Sequence, residues 1–185
     1  MNKKLTFITG NSSKAMQMSR YLGIPVEHHK LELAEIQSLD LTEVVEHKLR
    51  EAYSIVKSPV LVDDVSLVIS AMGRLPGTLI KYFELEIKYE GICDMVSHFT
   101  DKRARGEVGI GFYDGKEMKV CIGIIKGTIS DKPRGNDGFG WDVLFIPDGY
   151  TQTRGEMNRA HYDKTNPRRF ALTELEKYLK GRYNN

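Results

Sequence analysis

The residues Thr9, Gly10, Asn11, Ser12, Ser13 and Lys14 follow an apolar, strand-like run and precede a helical pattern. The N-terminus of a helix offers unpaired N–H groups and a partial positive charge, and both suit a phosphate group. Gly10 allows the backbone to approach a ligand closely, and Lys14 adds a full charge within the first turn. The segment lacks the spacing of a Walker motif. From the pattern alone a capped helix with a solvent-facing lysine is slightly favoured, and a phosphate site is the functional alternative.

Asp63 and Asp64 interrupt an apolar run and stand at the predicted C-terminal end of a buried strand. Because side chains alternate along a strand, we expect the two carboxylates to point to opposite faces and to have different roles. Ligands of open α/β sheets bind beyond the carboxyl ends of the strands. A carboxylate there suits Mg²⁺, which shares its coordination with substrate phosphates. The alternative is a turn or a local helix cap.

The segment Gly135–Asp142 combines three glycines, two acids and the one tryptophan of the chain, Trp141. This composition indicates a tight loop with an aromatic platform, and aromatic faces stack on nucleobases. A turn that contains a core tryptophan is the alternative.

The tail from Thr153 to Arg169 places basic residues beside the predicted start of a helix. Such residues suit an anion, but for the tail taken alone a solvated surface is the favoured explanation.

The first half of the sequence alternates strand and helix patterns. Leu5–Thr9 predicts a strand, and Asn11 or Ser12 caps a helix that Gly23 ends. Ile24–His28 predicts a second strand. Asp40 and Glu43 have capping-box spacing and open a longer helix. This helix has apolar residues at helical spacing, namely Leu41, Val45, Leu49, Ala52 and Val56. Pro59–Val62 predicts a buried strand.

The second half changes character. Two short helices are predicted around Leu79–Glu84 and Ile92–Phe99, and then two long strand patterns, Glu107–Tyr113 and Glu117–Ile129, flank the turn signal Asp114-Gly115. Asn166-Pro167 opens a last helix, with an apolar face formed by Ala171, Leu172, Leu175 and Leu179. These patterns predict an α/β (α+β) fold with a mixed sheet flanked by helices, as a single domain over residues 1–185.

Composition excludes several classes of protein. The chain has 185 residues, of which 41% are hydrophobic and 28% charged, with a net charge of +2. It is therefore not predicted to be disordered, to span a membrane or to be a strongly basic nucleic-acid scaffold. Cys93 and Cys121 lie in apolar contexts without metal-site spacing, which predicts buried free thiols. The N-terminus does not resemble a signal peptide, so we expect a cytoplasmic protein.

Taken in order, these segments resemble the motifs of the inosine/xanthosine triphosphate pyrophosphatase family. The family's T-G-N-x-x-K opening corresponds to Thr9–Lys14. Its strand with two acids, followed by L-P-G and a lysine, corresponds to Val60–Asp64 and then Leu75–Phe83. Its F-G-[YW]-D loop corresponds to Phe139–Asp142, and Pro147–Tyr150 follows it. The resemblance extends from about Leu5 to Leu179, and it implies an elongated sheet with two lobes and a central cleft.

The resemblance also implies roles for individual residues. Members of the family cleave deaminated purine nucleoside triphosphates to the monophosphate and pyrophosphate. By this correspondence Thr9–Lys14 hold the triphosphate, Glu35 and Asp64 bind Mg²⁺, and Asp64 is also the general base. Lys48 and Lys81 correspond to lysines that contact substrate. The purine-binding loop corresponds to Phe139, Gly140, Trp141 and Asp142, and Arg168 corresponds to an arginine that reads the base. The resemblance further implies a homodimer, and no nucleic acid or membrane partner is expected.

Several positions depart from the family's pattern. Val65 stands where the family has Thr or Ser. The family's tail reads roughly T-[YF]-A-E-M, then E-K-N and S-H-R, but here Arg154 and Gly155 replace the middle pair of the first motif. Tyr162 takes the place of the motif's lysine, and Pro167 that of its histidine. These changes predict a weaker preference for deaminated purines over ATP, unless Lys164 fills the vacant place.

Two hypotheses for the function follow. The chain is an active nucleotide pyrophosphatase, or it is a catalytically weak nucleotide-binding protein whose tail has diverged. A pure binding protein has no need of the pair Glu35 and Asp64, and both are present. We therefore favour the enzyme.

Overall fold

A computed structural model describes residues 5–10 and 12–180 of the chain. Seven strands are described: β1 (Leu5–Ile8), β2 (Val26–His29), β3 (Val60–Ile69), β4 (Pro76–Gly77), β5 (Arg103–Tyr113), β6 (Met118–Ile129) and β7 (Phe145–Pro147). The described helices are α1 (Ser12–Leu22), α2 (Leu41–Val56), α3 (Ile80–Glu86), α4 (Lys88–Ser97), α5 (Arg159–Lys164) and α6 (Pro167–Leu179). Three short 3-10 helices cover Ser70–Met72, Gly140–Val143 and Arg154–Glu156. The predicted mixed α/β fold is confirmed.

The sheet has the strand order β2-β1-β3-β5-β6-β7, and β4 pairs with β3 beside this series. β1 is parallel to both β2 and β3, whereas β4 and β7 pair antiparallel to their neighbours. A mixed sheet of this kind follows from the sequence, because helices connect the early strands and the turn at Asp114–Glu117 connects β5 directly to β6.

The contacts within the described chain divide it into two units. The first comprises residues 5–64, 108–123 and 168–180, with residue 11 outside the description, and the second comprises Val65–Glu107 and Ile124–Pro167. The chain therefore crosses from one unit to the other within β3, β5 and β6. The predicted cleft between two lobes stays a prediction.

The core of the first unit forms around α2. Its buried residues Val45, Leu49 and Ala52 pack with Val60 and Val62 of β3. Gly111 of β5 permits this close packing, since a Cβ atom there would lie 2.6 Å from side-chain carbons of Val45 and Leu49. Burial of these apolar side chains fixes the position of α2, and hence of the polar residues on its flank.

The ends of α2 agree with the sequence only in part. Asp40 is the N-cap and accepts hydrogen bonds from the N–H groups of Thr42 and Glu43, as predicted. The reciprocal bond of a capping box does not form. Instead, the Glu43 carboxylate accepts a hydrogen bond from the Ser38 hydroxyl, and the Asp40 N–H donates to that same hydroxyl.

The core of the second unit packs α3 and α4 against the far halves of β3 and β6. Its fully buried residues include Ile69, Ile80, Ile92 and Phe145. Cys93 belongs to this core, and Cys121 is buried in the first unit. Burial raises the pKa of both thiols. The prediction of buried free thiols is confirmed.

The last helix, α6, begins at Pro167, directly after Asn166, as the sequence predicts. Its residues Ala171, Leu172, Leu175 and Leu179 are all buried. None of the described helices is long and apolar enough to cross a membrane.

Candidate active site

The first unit brings Glu35, Lys48 and Asp64 together. Lys48 lies on the flank of α2, Asp64 on β3, and Glu35 in the loop before α2. The Nζ atom of Lys48 donates to Asp64 Oδ2 at 2.5 Å and to Glu35 Oε1 at 3.2 Å. One ammonium group therefore holds two carboxylates that lie far apart in the sequence.

The charges of this cluster stabilise one another. Burial disfavours the charged form of Lys48, but the carboxylates of Asp64 and Glu35 outweigh that effect and raise the lysine's pKa above its ordinary value. Lys48 is therefore a permanent cation near neutral pH. A buried carboxylate needs such a partner, because an isolated charge is costly to remove from water.

Asp63, the neighbouring acid, has a separate set of partners. Its Oδ2 atom accepts from Arg168 Nη1 at 2.5 Å and from Lys14 Nζ at 3.5 Å. Burial acts to raise the pKa of Asp63, but Arg168 and Lys14 outweigh it and hold the pKa below its ordinary value. The two adjacent carboxylates therefore face different partners, as strand alternation predicts.

The prediction that a strand ends at Asp63-Asp64 is wrong. β3 continues through both acids to Ile69. The neighbouring strand is the one that stops, since β1 pairs Thr6 with Val60 and Phe7 with Leu61 and ends at Ile8. Continued by one residue, this register places Ile8 beside Val62. The acids thus lie just beyond the carboxyl end of β1, in the kind of position where α/β sheets bind ligands.

The start of α1 lies next to this cluster. The N–H of Thr9 donates to the carbonyl oxygen of His29, which ties the end of β1 to β2. Gly10 follows, and α1 begins at Ser12, so that Lys14 reaches Asp63 from the first turn. Asn11 lies outside the described residues, and roles for the Ser12 and Ser13 side chains stay predictions. The phosphate site at this helix N-terminus stays a prediction.

The carboxylates of Glu35 and Asp64 fit a magnesium ion. Both oxygens lie within reach of a single cation, Lys48 Nζ, and both are hard oxygen ligands. Among residues 5–10 and 12–180 there is no group of three or more His, Cys, Asp or Glu side chains arranged for a metal. Two carboxylates suffice for Mg²⁺, which completes its shell with water and substrate phosphates.

The aromatic loop belongs to the second unit. Trp141 is buried, and its ring contacts Phe145 edge-on with centroids 5.2 Å apart. Gly106 accommodates the indole, since a Cβ atom there would lie 2.2 Å from a ring carbon. Phe139 is 64% exposed, in contrast to Trp141 at 5%. Of the two aromatics, Phe139 is therefore the one that a ligand can reach, and Trp141 is a core residue.

Asp142 holds this loop in place. Its Oδ2 accepts from the N–H of Phe139 at 2.8 Å and from the Tyr162 hydroxyl at 2.7 Å, and its Oδ1 accepts from Arg154 Nε at 2.6 Å. Glu84 lies nearby, with its carboxylate against Gly140. Burial and the charge of Asp142 raise the pKa of Glu84.

Lys81 lies in the first turn of α3, with an exposed side chain. It is in the same unit as the aromatic loop. Its predicted contact with substrate stays a prediction, as does the predicted role of Arg168 in reading the base.

Sequence reasoning missed three residues. Asp63 was expected to differ from Asp64, but its role as the anchor of Lys14 and Arg168 was not foreseen. Arg154 was treated only as the loss of a motif residue, although it is 1% exposed and ion-paired. Glu84 carried no signal at all. The pairing of Arg154 likewise had no signal in the sequence, since an arginine in a polar tail is usually solvated.

A comparison with known families matches residues 5–178 of the chain to the Ham1 family. The chain belongs to the Ham1 family. It is 36% identical over 182 residues to inosine triphosphate pyrophosphatase 2 of Trypanosoma cruzi, covering 96% of this chain and 93% of that protein. It is 33% identical over 181 residues to the dITP/XTP pyrophosphatase of Saccharolobus solfataricus, covering 96% and 94%.

Solved structures of Ham1 proteins have the same fold. The Staphylococcus aureus Ham1 protein superposes with a TM-score of 0.86 and 22% identity, covering 97% of this chain and all of that one. A Ham1 protein from Coxiella burnetii gives the same TM-score and identity. The resemblance stated from the motifs is thus confirmed at the level of family and fold.

Proposed function

We propose that this Ham1 protein hydrolyses deaminated purine nucleoside triphosphates, namely ITP, dITP and XTP, to the monophosphate and pyrophosphate, and so cleanses the nucleotide pool. The single observation that carries the proposal is the Glu35–Lys48–Asp64 cluster beside the N-terminus of α1. The two relatives named above are called an inosine triphosphate pyrophosphatase and a dITP/XTP pyrophosphatase. Both agree with this substrate class.

The charges of the cluster match the needs of the reaction. A nucleoside triphosphate carries about four negative charges at neutral pH, and a water molecule must attack a phosphorus atom within this anionic chain. Lys48 and Lys14 are cations in the first unit that offset charge on the phosphates. The N–H groups at the start of α1 add partial positive charge at the same place.

Asp64 is the residue proposed to remove the proton from the attacking water. Its Oδ2 accepts a hydrogen bond from Lys48, and a carboxylate at this position is a group that can take a proton from water. We propose that Glu35 and Asp64 together hold Mg²⁺, which, when bound, neutralises phosphate charge and lowers the pKa of coordinated water. In the second unit, Phe139 is the proposed stacking surface for the purine.

The proposal also covers the assembly and its surroundings. By the resemblance of its motifs we propose a homodimer that acts in the cytoplasm on free nucleotides, without a nucleic-acid or membrane partner.

Product analysis tests the proposed reaction. With ITP and Mg²⁺, ³¹P NMR should show pyrophosphate and the monophosphate as the first products, and chelation of the metal with EDTA should stop their formation. Release of inorganic phosphate and a nucleoside diphosphate instead would contradict the proposal, because it would mean attack at the terminal phosphorus.

A further inference from the structure

Arg154 is a charged side chain that is almost fully removed from solvent. The residue is 1% exposed and Asp142 is 4% exposed. The Nε atom of Arg154 donates to Asp142 Oδ1 at 2.6 Å, and its Nη1 donates to the hydroxyl and carbonyl oxygens of Thr165. The guanidinium group also lies 4.2 Å above the ring centroid of Tyr162. The cation is therefore held inside the second unit through its Nε and Nη1 atoms and through its face.

Tyr162 completes the arrangement from the other side. Its hydroxyl donates to Asp142 Oδ2, which also accepts the N–H of Phe139. Burial and the negative charge of Asp142 raise the pKa of Tyr162 to about 12, so the hydroxyl is a donor at all ordinary pH values. One carboxylate thus receives an arginine, a tyrosine and the backbone of the loop that presents Phe139.

The positions of the cation and the aromatic ring are exchanged relative to the family's tail motif. That motif has an aromatic residue where this chain has Arg154, and a lysine where it has Tyr162. Both patterns contain one cation and one aromatic residue. In this chain Arg154 is the cation that pairs with Asp142, and a buried carboxylate without such a partner would be costly.

We propose that Arg154 is a positioning residue: with Tyr162 it clamps Asp142 and so fixes the loop Gly138–Asp142 that presents Phe139 to the nucleobase. This inference rests on the proposed nucleotide hydrolysis. The geometry favours it because Gly138 and Gly140, with φ values of +94° and +54°, are conformationally free residues, so the shape of the loop depends on its contacts. Asp142 makes those contacts, and Arg154 holds Asp142.

Exchange of the two residues tests the clamp. The single variants Arg154→Tyr and Tyr162→Lys should each raise the KM for ITP. The first leaves Asp142 without its cation, and the second places two cations together. The double variant Arg154→Tyr/Tyr162→Lys restores one cation and one ring. We expect each single variant to raise the KM for ITP roughly 10-fold or more, and the double variant to return it to within about threefold of wild type.

A milder variant guards against loss of folding. Tyr162→Phe keeps the ring and all charges and removes only the hydroxyl bond to Asp142. It should raise the KM for ITP by about 3- to 10-fold with little change in kcat. The matched controls are Tyr150→Phe and Arg159→Tyr, whose side chains lie outside the clamp in the same unit. Neither control should alter KM.

Two results would overturn the clamp. One is additivity, in which the changes in KM and melting temperature of the double variant equal the summed changes of the two single variants. The other is a purely structural effect, in which Tyr162→Phe lowers the melting temperature but leaves the KM for ITP and the ITP-to-ATP ratio unchanged. A wild type that hydrolyses no nucleotide would instead overturn the proposed function and with it the nucleotide role of Arg154. The Arg154–Tyr162 coupling would still appear in the melting temperatures.

Discussion

Asp64 is the residue on which the proposed chemistry depends most. It is a proposed metal ligand and general base, and it bonds to Lys48 at 2.5 Å. We expect Asp64→Asn to lower kcat by well over the 10²–10⁴-fold typical of one general base, with the fold retained. Pyrophosphate release and far-UV circular dichroism measure the two effects. Asp94→Asn, on the exposed surface of α4, is the matched control and should keep full activity. More than a tenth of wild-type activity in Asp64→Asn would refute the assignment.

Glu84 makes stability depend on pH. Burial and the nearby Asp142 raise its pKa, so the folded protein binds this proton more tightly than the unfolded chain does. The protonated Glu84 side chain therefore contributes its full stability below the ordinary pKa of a glutamate, about 4.3. This contribution is lost as the pH rises through the higher pKa of Glu84 in the folded protein. Glu84→Gln removes the charge that is unfavourable at neutral pH. Its melting temperature should exceed that of wild type at pH 7 and match it more closely near pH 4.5.

The control for this prediction lies on the same helix. Glu86 is exposed at the end of α3, and Glu86→Gln should leave the pH profile of the melting temperature unchanged. If Glu84→Gln and wild type have the same pH profile of melting temperature, the charged Glu84 carboxylate is not destabilised by its surroundings.

At the scale of the elements, helix α2 positions Lys48, and Asp40 stabilises the start of that helix. Asp40 accepts hydrogen bonds from two N–H groups of the first turn. Replacement of an N-cap by alanine costs about 1 kcal/mol, in the range 0.5–2. Denaturant unfolding of Asp40→Ala should show a loss of this size, and Asp40→Ser, which is also a good N-cap, should retain most of the stability. An alanine variant as stable as wild type would show that the cap is dispensable.

The elements that the sequence predicted best are those with a strong local signal. The apolar spacing of α2 and α6 and the Asp114-Gly115 turn located each of them to within a few residues. β3 was predicted too short, because two adjacent acids read as the end of a strand when only the sequence is visible. β3 continues past the two acids while the neighbouring strand β1 ends, and the length of each strand relative to its neighbour is decided by pairing in the sheet.

The candidate site also has residues that the sequence predicted and residues that it did not. Glu35, Lys48 and Asp64 were named from motif resemblance, and the structure brings them together. The burial of Arg154 could not be read from the sequence, because an arginine in a polar tail is usually solvated. Only the fold shows that Asp142, Tyr162 and Thr165 surround it.

At the scale of the whole molecule, the resemblance to the pyrophosphatase family predicts a homodimer. The chain has a mass of 21.1 kDa, so light scattering at micromolar concentration should give about twice that value. A monomer mass across the concentration range would contradict this prediction, and it would leave the proposed chemistry of the Glu35–Lys48–Asp64 cluster untouched.

The activity of the whole protein is tested most directly by kcat/KM for pyrophosphate release over a panel of nucleoside triphosphates with Mg²⁺. We predict that ITP, dITP and XTP are hydrolysed in preference to ATP. Since Tyr162 and Pro167 replace a lysine and a histidine of the family's tail, the preference should be smaller than in a relative with the full motif. Each lost hydrogen bond costs roughly 1–3 kcal/mol, or about 5- to 150-fold in discrimination. A chain that releases pyrophosphate from none of these nucleotides, or that prefers ATP, would contradict the account.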